Sequence, residues 1–314
     1  MKLNKPKFWD QKKPNIFVFL LWPLSIVYKI IINLKNKKKN KFNSIKTICL
    51  GNIYIGGTGK TSLSIKIKKI LDEKNIKSCF IKKLHSDQMD EIKLLNMHGK
   101  TFVEKKRLDA LKIAISENFD VAIFDDGLQD NSIEYDLTFV CFNNLNWIGN
   151  GFLIPAGPLR ESINNLKFHK NVFLNGNDED LEDIKTFIKN INPKIVVHES
   201  NYWPSNIEDF NKNKKYLAFS GIGNHKTFIN MLRKENLNIL LDLEFPDHYN
   251  FKENDLNKIF LKANNLNAQI ITTEKDYLRI NHSRLKDIKF IKAELKIKEE
   301  DKLIKILMEK HVEN

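Results

Sequence analysis

Between residues 51 and 61 the chain reads Gly-Asn-Ile-Tyr-Ile-Gly-Gly-Thr-Gly-Lys-Thr, directly after the β-branched run Ile45 to Leu50. A glycine-rich turn that leaves a buried strand and ends in Gly-Lys-Thr at the head of a helix is a phosphate holder. Glycines at 56, 57 and 59 let backbone N–H groups approach phosphate oxygens, and the helix behind them presents its positive end to the same charge. Lys60 then reaches the β- and γ-phosphates of ATP, and the Thr61 hydroxyl is placed to ligate Mg²⁺. The strict pattern has glycine at position 54, where this chain has Tyr54. The candidate ATP site is therefore Tyr54, Ile55, Gly56, Gly57, Thr58, Gly59, Lys60 and Thr61.

Such a site needs an acid at the end of a second buried strand. Val121-Ala122-Ile123-Phe124 is a short apolar run suited to a parallel strand covered on both faces, and it delivers Asp125-Asp126-Gly127. Ligands bind outside the carboxyl ends of strands in open α/β sheets, so Asp125 or Asp126 can meet the Mg²⁺ held by Thr61. A plain turn would account for Asp-Asp-Gly by itself; the glycine loop is what turns it into a metal candidate.

Elements alternate around these residues. The pattern predicts a helix over 61–74, a strand over 77–82, a helix over 86–97, a strand over 101–103, a helix over 105–117 and strands ending at Asp125 and Cys141. Strands separated by helices of this length make a parallel sheet, here a P-loop NTPase-like sheet flanked by helices. An Asn- and Gly-rich loop follows, and a second, smaller α/β pattern resumes near Tyr216. The expected organisation is an N-terminal helix and basic segment over 1–41, a nucleotide-binding core over 42–150 and a second α/β domain over 151–314.

Composition sets limits. With 42% hydrophobic residues among 314 the chain is not disordered. Its net charge of +13 would suit an anionic partner, but Lys, Asn and Ile are abundant throughout, so only local clustering is informative. No nucleic-acid partner and no obligate protein partner are expected. Cys49, Cys79 and Cys141 have no paired spacing and read as reduced core residues. Clustering occurs from Ile16 to Tyr28, which is apolar nearly all round and is followed by Lys29, Lys35, Lys37, Lys38, Lys39 and Lys41. The run is shorter than a bilayer span and carries Pro23. With Trp9, Trp22 and Tyr28 beside lysines, it reads as a helix lying in an anionic membrane surface; a buried core helix is the plainer alternative.

The ordered set of motifs resembles the tetraacyldisaccharide 4′-kinase family, inner-membrane enzymes that phosphorylate the lipid A disaccharide precursor. The residues that carry the resemblance run from end to end: Gly51-Asn52 with Gly56 to Thr61, Asp125-Asp126-Gly127-Leu128-Gln129, Leu153-Ile154-Pro155-Ala156-Gly157-Pro158-Leu159-Arg160-Glu161, Ala218-Phe219-Ser220-Gly221-Ile222-Gly223-Asn224, Phe245-Pro246-Asp247-His248-Tyr249 and Thr272-Thr273-Glu274-Lys275-Asp276. The resemblance implies an ATP- and Mg²⁺-dependent transfer to the 4′-hydroxyl of a lipid A disaccharide 1-phosphate, at the cytoplasmic face of the inner membrane. It implies that Asp90 is the base, working with His248, and that Arg107, Gln129, Arg160 and Glu161 lie near the phosphates or the metal. On residue type alone Asp90 reads as a solvated or capping acid, His248 as a loop or core histidine, and Arg107 equally well as a helix-surface arginine.

Two departures stand out. The family's Ser-Arg-Gly-Tyr-like stretch after the second strand is shortened, so the chain passes from Phe80-Ile81-Lys82-Lys83 almost directly to Asp90. A histidine expected after Asp-Asp-Gly-Phe-Gln is Asp130 here. The alternatives to a kinase are a P-loop GTPase or nucleotide-driven chaperone, disfavoured because Asn-Lys-x-Asp does not occur, and a non-catalytic nucleotide-binding relative, which the change at Asp130 keeps open.

Overall fold

Residues 16–34 carry apolar side chains on every side, and they form one helix, α1 (Ile16–Leu34), which runs through Pro23 without ending. The computed structural model describes residues 5–11, 13–34, 39–85, 88–176, 181–281 and 283–309. Lys35, Lys37 and Lys38 of the expected basic run, and Ser86 at the head of an expected helix, lie outside them. By contact the chain forms two units, residues 1–84, 99–200 and 297–314, and residues 85–98 and 201–296.

In the first unit α1 offers one stripe inward. Val18 and Ser25 are buried and Leu21, Tyr28 and Ile32 half-buried, at spacings of three, four and seven that place them on one helix face. Ser25 Oγ donates to Leu153 O at 2.8 Å and accepts from Ala156 N at 3.1 Å, and Tyr28 OH donates to Arg160 O at 3.1 Å. Phe17, Phe19, Leu20, Trp22, Ile26 and Ile30 remain exposed. No helix among the described residues is long and apolar enough to cross a membrane.

Behind α1 come β1 (Lys46–Gly51), α2 (Lys60–Glu73), β2 (Ser78–Lys83), α3 (Met89–His98), β3 (Thr101–Glu104), α4 (Arg107–Ser116), β4 (Val121–Asp125), β5 (Leu137–Asn143), β6 (Asn171–Asn175), α5 (Glu182–Ile191) and β7 (Val196–Pro204). Helix α3 belongs to the second unit and the other elements start in the first. The sheet runs β12-β7-β6-β5-β1-β4-β2-β3, with β12 spanning Ala293–Ile297. β1 is central and pairs in parallel with β4 on one side and β5 on the other. The register sets Leu50 opposite Asp125, so the end of β1, where the glycine loop starts, adjoins the end of β4, where the acids start. That neighbourhood of strand ends is where the sheet can receive a ligand.

The second unit is a four-stranded parallel sheet in the order β11-β10-β8-β9. Its elements are β8 (Lys215–Ser220), α6 (His225–Lys234), β9 (Asn238–Glu244), α7 (Glu253–Asn265), β10 (Gln269–Thr273), α8 (Glu274–Arg279) and β11 (Ile288–Ile291). Alternation along β8 explains its two cores. Tyr216 and Ala218 pack with Phe228 and Leu232 of α6, while Leu217 and Phe219 pack with Leu256, Ile259 and Phe260 of α7.

Candidate active site

The glycine loop folds as its sequence requires. Gly56 has φ +128° and Gly59 has φ +88°, values that an L side chain would strain. Gly59 is the N-cap of α2 and no side chain caps that helix, leaving its first N–H groups for an outside acceptor. Tyr54 is not among the positive-φ residues, so position 54 makes no demand for glycine. Its backbone bridges Leu159, its ring is buried beside Ile53 and Leu159, and its hydroxyl donates to Asp10 Oδ1 at 2.6 Å. Ile55 N donates to Pro158 O at 2.9 Å and Arg160 N to Ile53 O at 2.7 Å, so the segment around Pro158 forms the rim of the loop.

Charges cluster beside it. Asp125, fully buried at the end of β4, accepts from Thr61 Oγ1 at 3.2 Å and from Lys82 Nζ at 2.6 Å, both on Oδ2. Its other oxygen, Oδ1, has no protein partner, and neither has the buried Thr58 Oγ1. Asp126, with φ +63°, turns its carboxylate to Arg160 Nη1 at 2.9 Å and Lys60 Nζ at 3.5 Å. Burial pushes the Asp126 carboxyl up, but the charges of Lys60, Arg160 and Lys82 outweigh that and hold it well below the usual carboxylate range. Arg107 Nη2 donates to the Asp126 carbonyl. Gln129 joins three members of the cluster, giving Nε2 to Asn52 O at 2.8 Å and Glu161 Oε1 at 3.2 Å and accepting from Arg160 Nη1 at 3.1 Å. Asp130, which stands where the family pattern has histidine, faces Arg107 at 3.5 Å and accepts from Ser132 Oγ at 2.6 Å.

These residues fit a triphosphate and Mg²⁺. Thr61 Oγ1 and the unpartnered Asp125 Oδ1 are hard oxygen donors, the kind and small number that Mg²⁺ takes from protein when phosphates complete its shell. Asp126 is already committed to two cations. Lys82 was not evident from sequence as a site residue. A lysine at the end of a strand whose other positions are buried must find a carboxylate, and that is the signal that could have marked it.

In the second unit, Asp90 sits in the first turn of α3, buried and not solvated. Its Oδ1 lies 3.2 Å from His248 Nδ1, and its Oδ2 accepts from Arg279 Nη2 at 2.8 Å. Burial raises the Asp90 carboxyl, while the His248 hydrogen bond and the charges of Arg279 and Lys275 outweigh it and bring it to about 2. Beside it Glu91 Oε1 accepts from Lys275 Nζ at 2.7 Å. The Asp90–His248 juxtaposition follows the resemblance; Arg279 was not evident from sequence, where it reads as one more basic residue near a helix end.

A family model described as tetraacyldisaccharide-1-P 4′-kinase, LpxK, matches residues 17–312. A tetraacyldisaccharide 4′-kinase of Pelagibacter ubique (strain HTCC1062) is 57% identical over 310 residues, covering 98% of this chain and 99% of that one. One from Rickettsia typhi (strain ATCC VR-144 / Wilmington) is 35% identical over 324 residues, covering 96% and 97%. The crystal structure of LpxK from Aquifex aeolicus in complex with ATP superposes with a TM-score of 0.68 at 21% identity, covering 93% of this chain and 98% of that one, which shows a shared fold.

Proposed function

We propose that this chain, which belongs to the tetraacyldisaccharide-1-P 4′-kinase family, transfers the γ-phosphoryl group of ATP to the 4′-hydroxyl of a tetraacyldisaccharide 1-phosphate. The observation that carries the residue assignment is the junction of the glycine loop with β4, where Thr61 Oγ1 meets Asp125 while Asp125 Oδ1 stays unpartnered. The loop of residues 54–61 binds the phosphates, and Lys60 neutralises the β- and γ-phosphates. Arg160 and Arg107 add positive charge at the rim, and the neutral Gln129 ties Arg160 to Glu161. Thr61 and Asp125 would hold Mg²⁺, which would supply neutralisation of phosphate charge. Asp126 serves Lys60 and Arg160 as their counter-ion.

Asp90, with His248, accepts the proton of the 4′-hydroxyl. At about 2 its carboxyl is ionised at neutral pH and free to accept. So acidic a group is a weak base, and it suffices because phosphoryl transfer passes through a loose transition state in which little proton removal is needed early. A substrate with four acyl chains stays in a bilayer, so the exposed apolar face of α1 docks the enzyme on the cytoplasmic face of the inner membrane, where the acceptor lies.

The test is purified full-length protein with γ-labelled ATP, Mg²⁺ and the disaccharide 1-phosphate in mixed micelles, the lipid product being read by mass. Lys60→Ala should abolish product while leaving the melting temperature close to wild type. Anionic vesicles should sediment the wild type in high salt, and Leu20→Asp should lose that binding. Near-wild-type turnover of Lys60→Ala would remove the phosphate assignment, and unaltered sedimentation of Leu20→Asp would remove the membrane role of α1.

A further inference from the structure

A carboxylate that takes a proton in a transition state has to be aimed, and one hydrogen bond does not aim it. His248 Nδ1 meets Asp90 at Oδ1 only, leaving the group free to swing about its Cβ–Cγ bond. The second oxygen is held by Arg279 Nη2 at 2.8 Å, and with both oxygens taken the carboxylate plane is fixed. Arg279 is itself fixed. Its Nη1 donates to Gly221 O at 2.8 Å and Tyr249 O at 3.4 Å and lies 3.2 Å from Asp276 Oδ1. Asp276, fully buried, is tied through Oδ2 to Gly221 N at 3.0 Å and Thr273 Oγ1 at 2.7 Å. The backbone N–H of His248 donates to the same Gly221 carbonyl at 2.9 Å. One carbonyl therefore registers the two residues that grip the two oxygens of Asp90.

We infer that Arg279 is a positioning residue for phosphoryl transfer: it orients Asp90, in register with His248 through Gly221 O, so that the carboxylate meets the acceptor hydroxyl in one fixed orientation. This rests on the reading of Asp90 as proton acceptor. The charged groups around Asp90 are Glu91 on its own helix, Lys275, Asp276 and Arg279 on α8, and Asp247 and His248 on the loop after β9. Of the three basic residues among them, Arg279 and His248 bond Asp90 directly, whereas Lys275 is hydrogen-bonded to Glu91. A guanidinium suits the position because its rigid fork reaches a carbonyl and a carboxylate at once, which an ammonium on a flexible stem does less well.

The experiment is a double-mutant cycle in the full-length enzyme, with Arg279→Met and Arg279→Lys each made alone and on Asp90→Ala, and with kcat and the KM for ATP measured on the micellar acceptor. Arg279→Met should lower kcat on the order of 10²-fold, the scale of a reacting group displaced by about 1 Å, with the KM for ATP little changed. Arg279→Lys should recover part of that loss. On Asp90→Ala, Arg279→Met should cost almost nothing more. A ¹³C-carboxyl titration of Asp90 should move upward by about 1 unit or more in Arg279→Met, since an adjacent cation is lost. The inference is overturned if Arg279→Met keeps wild-type kcat, or if its loss persists undiminished on Asp90→Ala, as a role confined to packing would give. If Arg279→Met does not fold, Arg279→Lys carries the same cycle. Wild-type turnover by Asp90→Ala alone would instead overturn the proton-acceptor reading, and this inference with it.

Discussion

The phosphate cradle and the Asp90 pair are both carboxylates held by cations, yet they are assembled in opposite ways. In the cradle, one loop of residues 54–61 and the end of one adjacent strand supply the phosphate loop and both acids, and the pairing of Leu50 with Asp125 fixes their meeting. In the second unit, Asp90 is held by residues 158 and 189 positions away in the chain. Their charge balance differs as well. Around Asp125 and Asp126 stand Lys60, Lys82, Arg107 and Arg160, with Asp130 and Glu161 at the edge, so cations are gathered where a triphosphate would arrive. Around Asp90, cations and acids alternate through Lys275–Glu91 and Arg279–Asp276, with Asp247 beside His248, so the pair is fixed in place without such a gathering of cations. A site that collects a polyanion needs cations at hand; a site that accepts one proton needs geometry.

On that contrast, the largest effect at the paired acids belongs to the one that meets Thr61 Oγ1. Asp125→Asn should lower kcat on the order of 10³-fold, partly recovered by raising Mg²⁺, because it removes a metal ligand and leaves Lys82 buried beside a neutral group. Asp126→Asn, which loosens Lys60 and Arg160 but removes no proposed metal ligand, should cost clearly less and show no recovery with Mg²⁺. A Mg²⁺ titration of both variants decides it, and equal mild losses would reduce Asp-Asp-Gly to a turn.

A second measurement separates the two regions by coupling. His248→Ala should lower kcat by roughly 10²-fold and Asp90→Ala by about 10²–10⁴-fold, with the double variant no worse than Asp90→Ala alone. Asp126→Asn on either background should instead add a full independent loss. Strict additivity between Asp90 and His248 would refute the pairing even though each residue mattered.

The same contrast explains what could be read from the sequence. Helix 61–74 became Lys60–Glu73, strand 77–82 became Ser78–Lys83, and Arg107–Ser116 filled the helix expected over 105–117, because apolar periodicity and glycine punctuation are local signals. The glycine loop and Asp-Asp-Gly were legible for that reason too. Asp90 and His248 came only from resemblance, since no spacing in a single chain joins residues from two distant segments. Arg279 and Lys82 escaped because a basic residue is unremarkable in a chain with 52 of them, and only packing shows which are buried against acids. The apolar run expected over 16–28 continued to Leu34 because the Val18, Leu21, Ser25, Tyr28 and Ile32 stripe keeps one face on the first unit past Pro23.

The smallest effect tests the one position where the cradle leaves its motif. Tyr54 stands in the place of a glycine, and its hydroxyl donates to Asp10, which also pairs with Lys5 at 2.7 Å. The hydroxyl also accepts from Lys5 Nζ, and Asp10 and Lys5 are both partly exposed, so water can take over the hydrogen bonds lost in Tyr54→Phe. The cost should therefore fall near the low end for a bond to a charged group, about 1.5 kcal/mol, or a melting shift of roughly 2 °C for a chain of this size. Because the backbone at 54 has no left-handed turn to make, kcat and ATP affinity should stay within about twofold, which calorimetry and steady-state assay will read. Tyr54→Gly should cost more stability than Tyr54→Phe, since it empties a buried aromatic site beside Ile53 and Leu159 without relieving any strain. If Tyr54→Gly were instead the more stable of the two, position 54 would be a strained glycine site after all, and the loop would differ from its motif by sequence alone and not by backbone.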